Sequence, residues 1–198
     1  LSAVERSLEV RDQVGELEEA DLDAVVQQER PRGGDDEVGL AATDGAVQQL
    51  RDIWEDRLTV PGLTLSENDR ISLAAELALR LPGSASDILE RQYQAIKNPD
   101  SKKRFAFIRP ALSPARSVRD TFFDSLKLPD NRHYEPWVGS AVRYLHHPLR
   151  QEEAIAYIRP SLELMEEIQA TGDIFFPRQW ITATLSGHQS REAANTVR

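Results

Sequence analysis

From Thr43 onward the apolar residues recur at helical spacing, and most runs open on a capping residue and close on glycine or proline. Asp44 precedes Val47, Leu50, Ile53 and Trp54, which share one helical face at i, i+3, i+6 and i+7. Ser66 with Asp69 three residues later has the form of a capping box ahead of Ile71, Ala74, Ala75, Ala78 and Leu81. Ser84 with Asp87 repeats the device before Ile88, Tyr93 and Ile96. Asn98-Pro99 and Ser113-Pro114 each set a capping side chain before a proline at the first helical position, where the missing N–H costs nothing. These starts predict helices ending near Leu112 and Leu126.

Glu135-Pro136 opens a helix bearing Trp137, Ala141, Tyr144 and Leu145, and Pro148 stops it. The next is predicted from about Gln151 to Ala170, with Ile155, Ile158, Leu162, Met165 and Ile168 inward and a kink at Pro160. Gly172 then serves as a C-terminal cap, Pro177 starts a short helix with Trp180, Ile181 and Leu185, and Gly187 ends it. In this reading Phe175 and Phe176 both fold back against Trp180, so the turn locks two helices together. A last helix is expected from Ser190.

Short loops make sequential helices antiparallel neighbours. The predicted fold is therefore all-α, with helical hairpins stacked as an α-solenoid, a HEAT-like array, over residues 39–198. A-F-I-R-P-A-L at Ala106–Leu112 returns as A-Y-I-R-P-S-L at Ala156–Leu162, a weak echo of a repeat. Residues 1–38 differ. Their apolar positions are thinly spread among carboxylates, and Pro31–Glu37 reads as a linker. With Leu1 at one end and a helix just begun at the other, the array is expected to be cut at both ends.

The formal charge of −9 sits mostly in the first segment: residues 1–38 hold 12 acidic and 4 basic side chains, and residues 39–198 are nearly neutral. Such a balance offers no basic field for a phosphate backbone, so nucleic acid is set aside as a partner. No apolar run reaches the ~18 residues of a membrane span. Cysteine is absent, which excludes thiolate chemistry and leaves the compartment, cytoplasmic or periplasmic, undetermined.

Four histidines are present, none in an H-E-x-x-H arrangement. His146 and His147 point about 100° apart on a helix and read as an imidazolium pair meeting a helix C-terminus. His133 and His188 read as surface residues. No nucleophile elbow, phosphate-binding glycine loop or dinucleotide fingerprint occurs, so the chain by itself is expected to be non-catalytic. The basic cluster Lys97, Lys102, Lys103, Arg104 and Arg109, with Arg116 and Arg119 on the next helix, reads first as a solvated face. Its functional reading is a set of cations, Lys102, Lys103, Arg104, Arg109, Arg116 and Arg119, that faces a cavity and attracts the carboxylate end of a peptide.

G-L-T-L-S-E-N-D (Gly62–Asp69), K-N-P-D-S-K-K-R-F (Lys97–Phe105), R-P-A-L-S (Arg109–Ser113), Y-L-H-H-P-L-R (Tyr144–Arg150) and T-G-D-I-F-F-P-R-Q-W (Thr171–Trp180) occur in that order. Together they resemble the C-terminal helical domain of bacterial membrane alanyl, aminopeptidase N-like zinc aminopeptidases, over about Asp44 to Arg198. The resemblance implies a HEAT-like array that closes over an active site and restricts peptide access. It implies a parent hydrolase that removes N-terminal residues from peptides, whose zinc belongs to a catalytic domain absent here. The expected partners are that catalytic domain and the peptide substrate, with no cofactor in this chain. A free-standing helical-repeat scaffold that binds another protein is the alternative, and a self-contained hydrolase with an unrecognised site ranks third.

Overall fold

A computed structural model of the chain describes residues 44–197. The readings made for residues 1–38, including the linker Pro31–Glu37, lie outside the described residues. The chain divides into two units, residues 1–48 and 49–198, and the packing below is that of the second.

The described residues form ten α-helices and two short 3-10 turns, with no strand among them. The helices are α1 (Asp44–Trp54), α2 (Glu67–Arg80), α3 (Ala85–Ala95), α4 (Pro99–Leu112), α5 (Arg116–Ser125) and α6 (Glu135–Leu145). They continue as α7 (Gln151–Glu163), α8 (Met165–Thr171), α9 (Phe176–Leu185) and α10 (Arg191–Val197). The 3-10 turns, Pro129–Arg132 and Pro148–Arg150, precede α6 and α7. The all-α class read from the sequence is what the described residues adopt.

Local chemistry sets the helix starts. Ser66 Oγ accepts the Asp69 N–H at 3.2 Å while an Asp69 carboxylate oxygen accepts the Ser66 N–H at 2.7 Å, so both arms of the predicted capping box form. Asn98 Oδ1 accepts from Asp100 and Ser101, with Pro99 opening α4. Two predicted starts differ. Ser84 precedes α3 in a helical conformation and makes no side-chain cap bond. Helix α5 begins at Arg116 rather than at Pro114, because the Arg119 guanidinium takes the carbonyls of Ser113 and Pro114 at 2.7 and 2.9 Å, with Ala115 extended between them and the helix.

The long helix predicted from Gln151 is two helices, broken at Leu164 and not at Pro160. Pro160 only removes one bond of the ladder, and α7 stays helical through it. The buried face of α7 is Ala154, Tyr157, Ile158 and Ser161, while Ile155 and Leu162 are half-buried. The inward stripe is thus turned relative to the one read from the aliphatic residues alone.

Helix α2 packs on α3 and α4, and α4 on α3, α5 and α6; α6 packs on α9, and α7 on α8, α9 and α10. One apolar core runs through these contacts, from Ile71 and Ala75 on α2 through Phe105, Ile108 and Leu112 on α4, and Val138 and Val142 on α6, to Phe176 and Trp180 on α9. Two buried arginines and one half-buried one tie its corners. Arg119 also pairs with Glu153 of α7, Arg132 joins the Leu126 carbonyl to Glu167 of α8, and Arg150 donates to the carbonyls of Ala111 and Leu112, both at 2.9 Å. Each satisfies backbone carbonyls at a helix end that the core would otherwise leave unpaired.

Candidate functional site

The six cations singled out in the sequence fall in two groups. On α4, Lys102 and Arg109 both lie over the Tyr93 ring, at 4.6 and 5.0 Å, and Arg109 is held by Glu90 at 2.8 Å. The Glu90 carboxyl is lowered first by the hydrogen bond from Gln94 and then by that from Arg109. Arg104 donates to Asn68 of α2 at 3.3 Å, and Lys103 is an exposed cation 3.8 Å from Asp100. On α5, Arg116 is exposed and 3.8 Å from Asp120 one turn on. Arg119 is only 3% exposed and committed to two carbonyls and Glu153.

Arg119 and Arg150 anchor a polar network between α5 and α7. The Tyr157 hydroxyl donates to Asp120, and its pKa is pushed up to about 12, mostly by burial and then by that bond. Burial, together with the nearby Arg119 charge, lowers Arg150 to about 10. A guanidinium still carries its proton there at neutral pH, so both arginines act as fixed positive charges whose donors are turned toward protein oxygens. Such groups hold helices together. Lys103 and Arg116 are the members of the set most open to an incoming carboxylate.

The histidines depart from the sequence reading. His146 is no imidazolium at a helix end: it is buried, its Nδ1 lies 2.8 Å from Nε2 of His188, and burial foremost, then the proximity of His188, lowers it to about 3. His188 is correspondingly no isolated surface residue, and its pKa too is lowered by burial. His147 accepts the Leu149 N–H and stands 3.9 Å from Glu76, while His133 is exposed as expected. Among the described residues no three His, Cys, Asp or Glu side chains converge as a metal-holding group. The described residues do not fit a zinc ion: the two nearest imidazoles are bonded to each other, and among these residues no carboxylate acts on either.

Two apolar features stand out on the surface. An open groove of about 410 Å³ is lined by Pro110 at the end of α4 and by Ser117, Val118, Thr121, Phe122 and Ser125 of α5. The second is the turn between α8 and α9, where Ile174 is 84% exposed and Phe175 75% exposed. Phe175 therefore does not fold back as predicted, whereas Phe176 is 2% exposed and Trp180 fully buried. The turn is nonetheless firmly held: the Asp173 N–H donates to Glu135 at 2.8 Å, and the Phe175 N–H to Asp173 Oδ1 at 3.0 Å. The periodicity gave no sign of the difference between adjacent phenylalanines, because it is set where the helix starts. Phe176 is the first residue of α9 and Phe175 lies outside it.

No family model, curated protein or solved structure matches the chain.

Proposed function

We propose that this chain is the C-terminal helical domain of a zinc aminopeptidase that removes N-terminal residues from peptides, and that it caps the active-site cavity and controls peptide access. By itself it is non-catalytic in this reading, with zinc and the general base carried by a catalytic domain outside the chain. The observation that carries the proposal is where the five family-like segments fall. Gly62–Asp69 contains the capping box of α2, Lys97–Phe105 the start of α4, and Arg109–Ser113 its end. Tyr144–Arg150 is the end of α6 with Arg150, and Thr171–Trp180 the turn into α9. The resemblance thus lies in the junctions that set how helices follow one another.

The packing supports a HEAT-like arrangement. Helices α2, α4, α6 and α9 contact one another in succession, as the first helices of stacked hairpins do. On the other side α5 meets α7 through Phe123 and Tyr157, with ring centroids 5.0 Å apart, and α7 meets α10. A rigid turn presenting Ile174 and Phe175 suits contact with the catalytic domain, and Lys103 and Arg116 suit attraction of a peptide's carboxylate end. The same turn also fits the alternative, a helical-repeat scaffold that binds another protein.

The test is to join the 198-residue chain to a catalytic domain encoded in the same reading frame. Hydrolysis of amino-acyl chromogenic substrates should require the catalytic domain, and adding the chain should sharpen discrimination between short and long peptides. Hydrolysis by the 198-residue chain alone, or the absence of an H-E-x-x-H domain in the frame, overturns the proposal. Stable association with an unrelated protein would then favour the scaffold.

A further inference from the structure

We infer that His146 and His188 form a proton-sensitive latch that holds the turn between α9 and α10 on the end of α6 and releases it in acid. His146 closes α6, and His188 lies in the turn after α9. With Nδ1 and Nε2 2.8 Å apart, one nitrogen carries the shared proton and the other accepts it, so at least one ring is neutral. The outer nitrogens, His146 Nε2 and His188 Nδ1, are buried without a hydrogen-bond partner. A proton added at either outer nitrogen therefore creates a buried N–H with no acceptor, and a buried charge shared only with the other imidazole.

The surroundings offer no compensation. From α7, Tyr157 meets His146 edge-on at 6.1 Å, and its hydroxyl is committed to Asp120. On the α6 side His147 is directed to the Leu149 N–H and stands 3.9 Å from Glu76 of α2, which also holds Arg80. Arg150, in the following 3-10 turn, is bound to the Ala111 and Leu112 carbonyls. Helix α9 supplies the uncharged, buried Thr184, and Arg191 and Glu192 at the start of α10 are exposed. Among the described residues no carboxylate acts on either ring of the pair.

The same contact fixes the turn. A Cβ at Gly187 would collide with the His146 carbonyl oxygen, so the backbone can lie this close to α6 only with glycine there. Other hydrogen bonds of the turn are local, from Ser186 to Thr182 and from His188 to Leu185. Beyond it α10 rests on α7 through the buried Ala193 and a long bond from Arg159 to the Thr196 carbonyl at 3.4 Å. Releasing the histidine pair therefore frees the turn that leads into α10 and leaves α10 held mainly by α7. In the closed state burial lowers both imidazoles below their ordinary value, His146 to about 3, whereas in the open state they return toward about 6.5. Below that pH the opening constant should rise up to about tenfold per pH unit for each imidazole released.

Amide exchange of the 198-residue chain from pH 7.5 to 4.5, corrected for intrinsic exchange chemistry, tests this. Residues 186–197 should lose protection below about pH 6.5 more steeply than residues 71–79 of α2, and His188→Gln should reduce the slope to that of one histidine. Protection lost in step across both segments, or an undiminished slope in the variant, overturns the latch. If His188→Gln does not fold, imidazole nitrogen resonances of the unsubstituted chain decide: His146 should stay neutral at pH 5 while the turn is closed, and His188 should titrate below its ordinary value. Two independent titrations near 6.5 with the turn still in place would overturn it.

Discussion

Phe176 reaches Trp180 with ring centroids 6.0 Å apart, and the Trp180 indole N–H donates to the Ser161 carbonyl at 2.9 Å, so α9 is joined to α7 by apolar contact and by a satisfied polar tip. Gly172 makes room for this. Its φ of −91° is ordinary for any residue, yet a Cβ there would stand 2.7 Å from the Phe176 ring and 2.9 Å from the Ile168 carbonyl oxygen. Glycine is used for close approach and not for a left-handed turn. Truncating Phe176 or Trp180 to alanine should cost ~3–5 kcal/mol in denaturant unfolding, whereas Phe175→Ala, which removes an exposed ring, should change stability by less than ~0.5 kcal/mol. Equal losses at 175 and 176 would show that the turn packs differently. Glycines divide in the same way. Nothing lies within 4 Å of a Cβ at Gly83, so Gly83→Ala should be neutral or stabilise by up to ~1 kcal/mol, while Gly187→Ala must displace backbone and should destabilise by ~1–3 kcal/mol.

Helix starts give the sharpest test at the scale of the element, since three serine or asparagine caps read alike in the sequence and differ in the structure. Ser66→Ala and Asn98→Ala should each cost ~0.5–2 kcal/mol, because their side chains accept N–H groups of the first turn. Ser84→Ala should cost almost nothing, its side chain making no such bond. Thermal or denaturant unfolding of the three variants separates the cases, and a Ser84→Ala loss as large as that at Ser66 would contradict the geometry. The elements were legible where the signal was local: the starts of α2, α4 and α6 and the ends of α4 and α6 follow from caps and prolines within a few residues. What misled was long-range. The start of α5 is decided by Arg119 reaching back to Ser113 and Pro114, and the inward face of α7 by the tertiary use of Tyr157 and Ser161 in place of Ile155 and Leu162. Neither shows in helical periodicity, which weighs aliphatic residues and ignores where a guanidinium or phenol can be satisfied.

Across residues 49–198 the polar groups that matter most, Arg119, Arg132, Arg150 and the His146–His188 pair, were recognisable as residue types but not by role, because each role depends on partners 5 to 42 positions away. The histidine pair sets the pH response of this unit. His146 has a folded-state pKa of about 3 against an ordinary 6.5, so its neutral form is favoured by folding. For a base with a depressed pKa, the stabilisation is complete above the unfolded value and declines as pH falls below it, since the unfolded chain then binds a proton that the folded chain refuses. The loss from His146 alone is at most about 2 kcal/mol at pH 5, reached where the turn stays closed, with His188 adding in the same direction. Carboxylates act in a lower window: Glu90, lowered by Gln94 and Arg109, and Asp56, lowered by its hydrogen bond from Arg70, lose their contribution only as pH falls through and below the ordinary carboxylate range. Denaturant unfolding between pH 7.5 and 5 should therefore show stability decreasing well before the carboxylates titrate, and His146→Leu should flatten the curve in that interval even if it lowers stability throughout. A wild-type curve that is level down to pH 5, or a variant with the same slope as the wild type, would mean that His146 gains its proton freely in the folded state and that the closed pair does not form in solution.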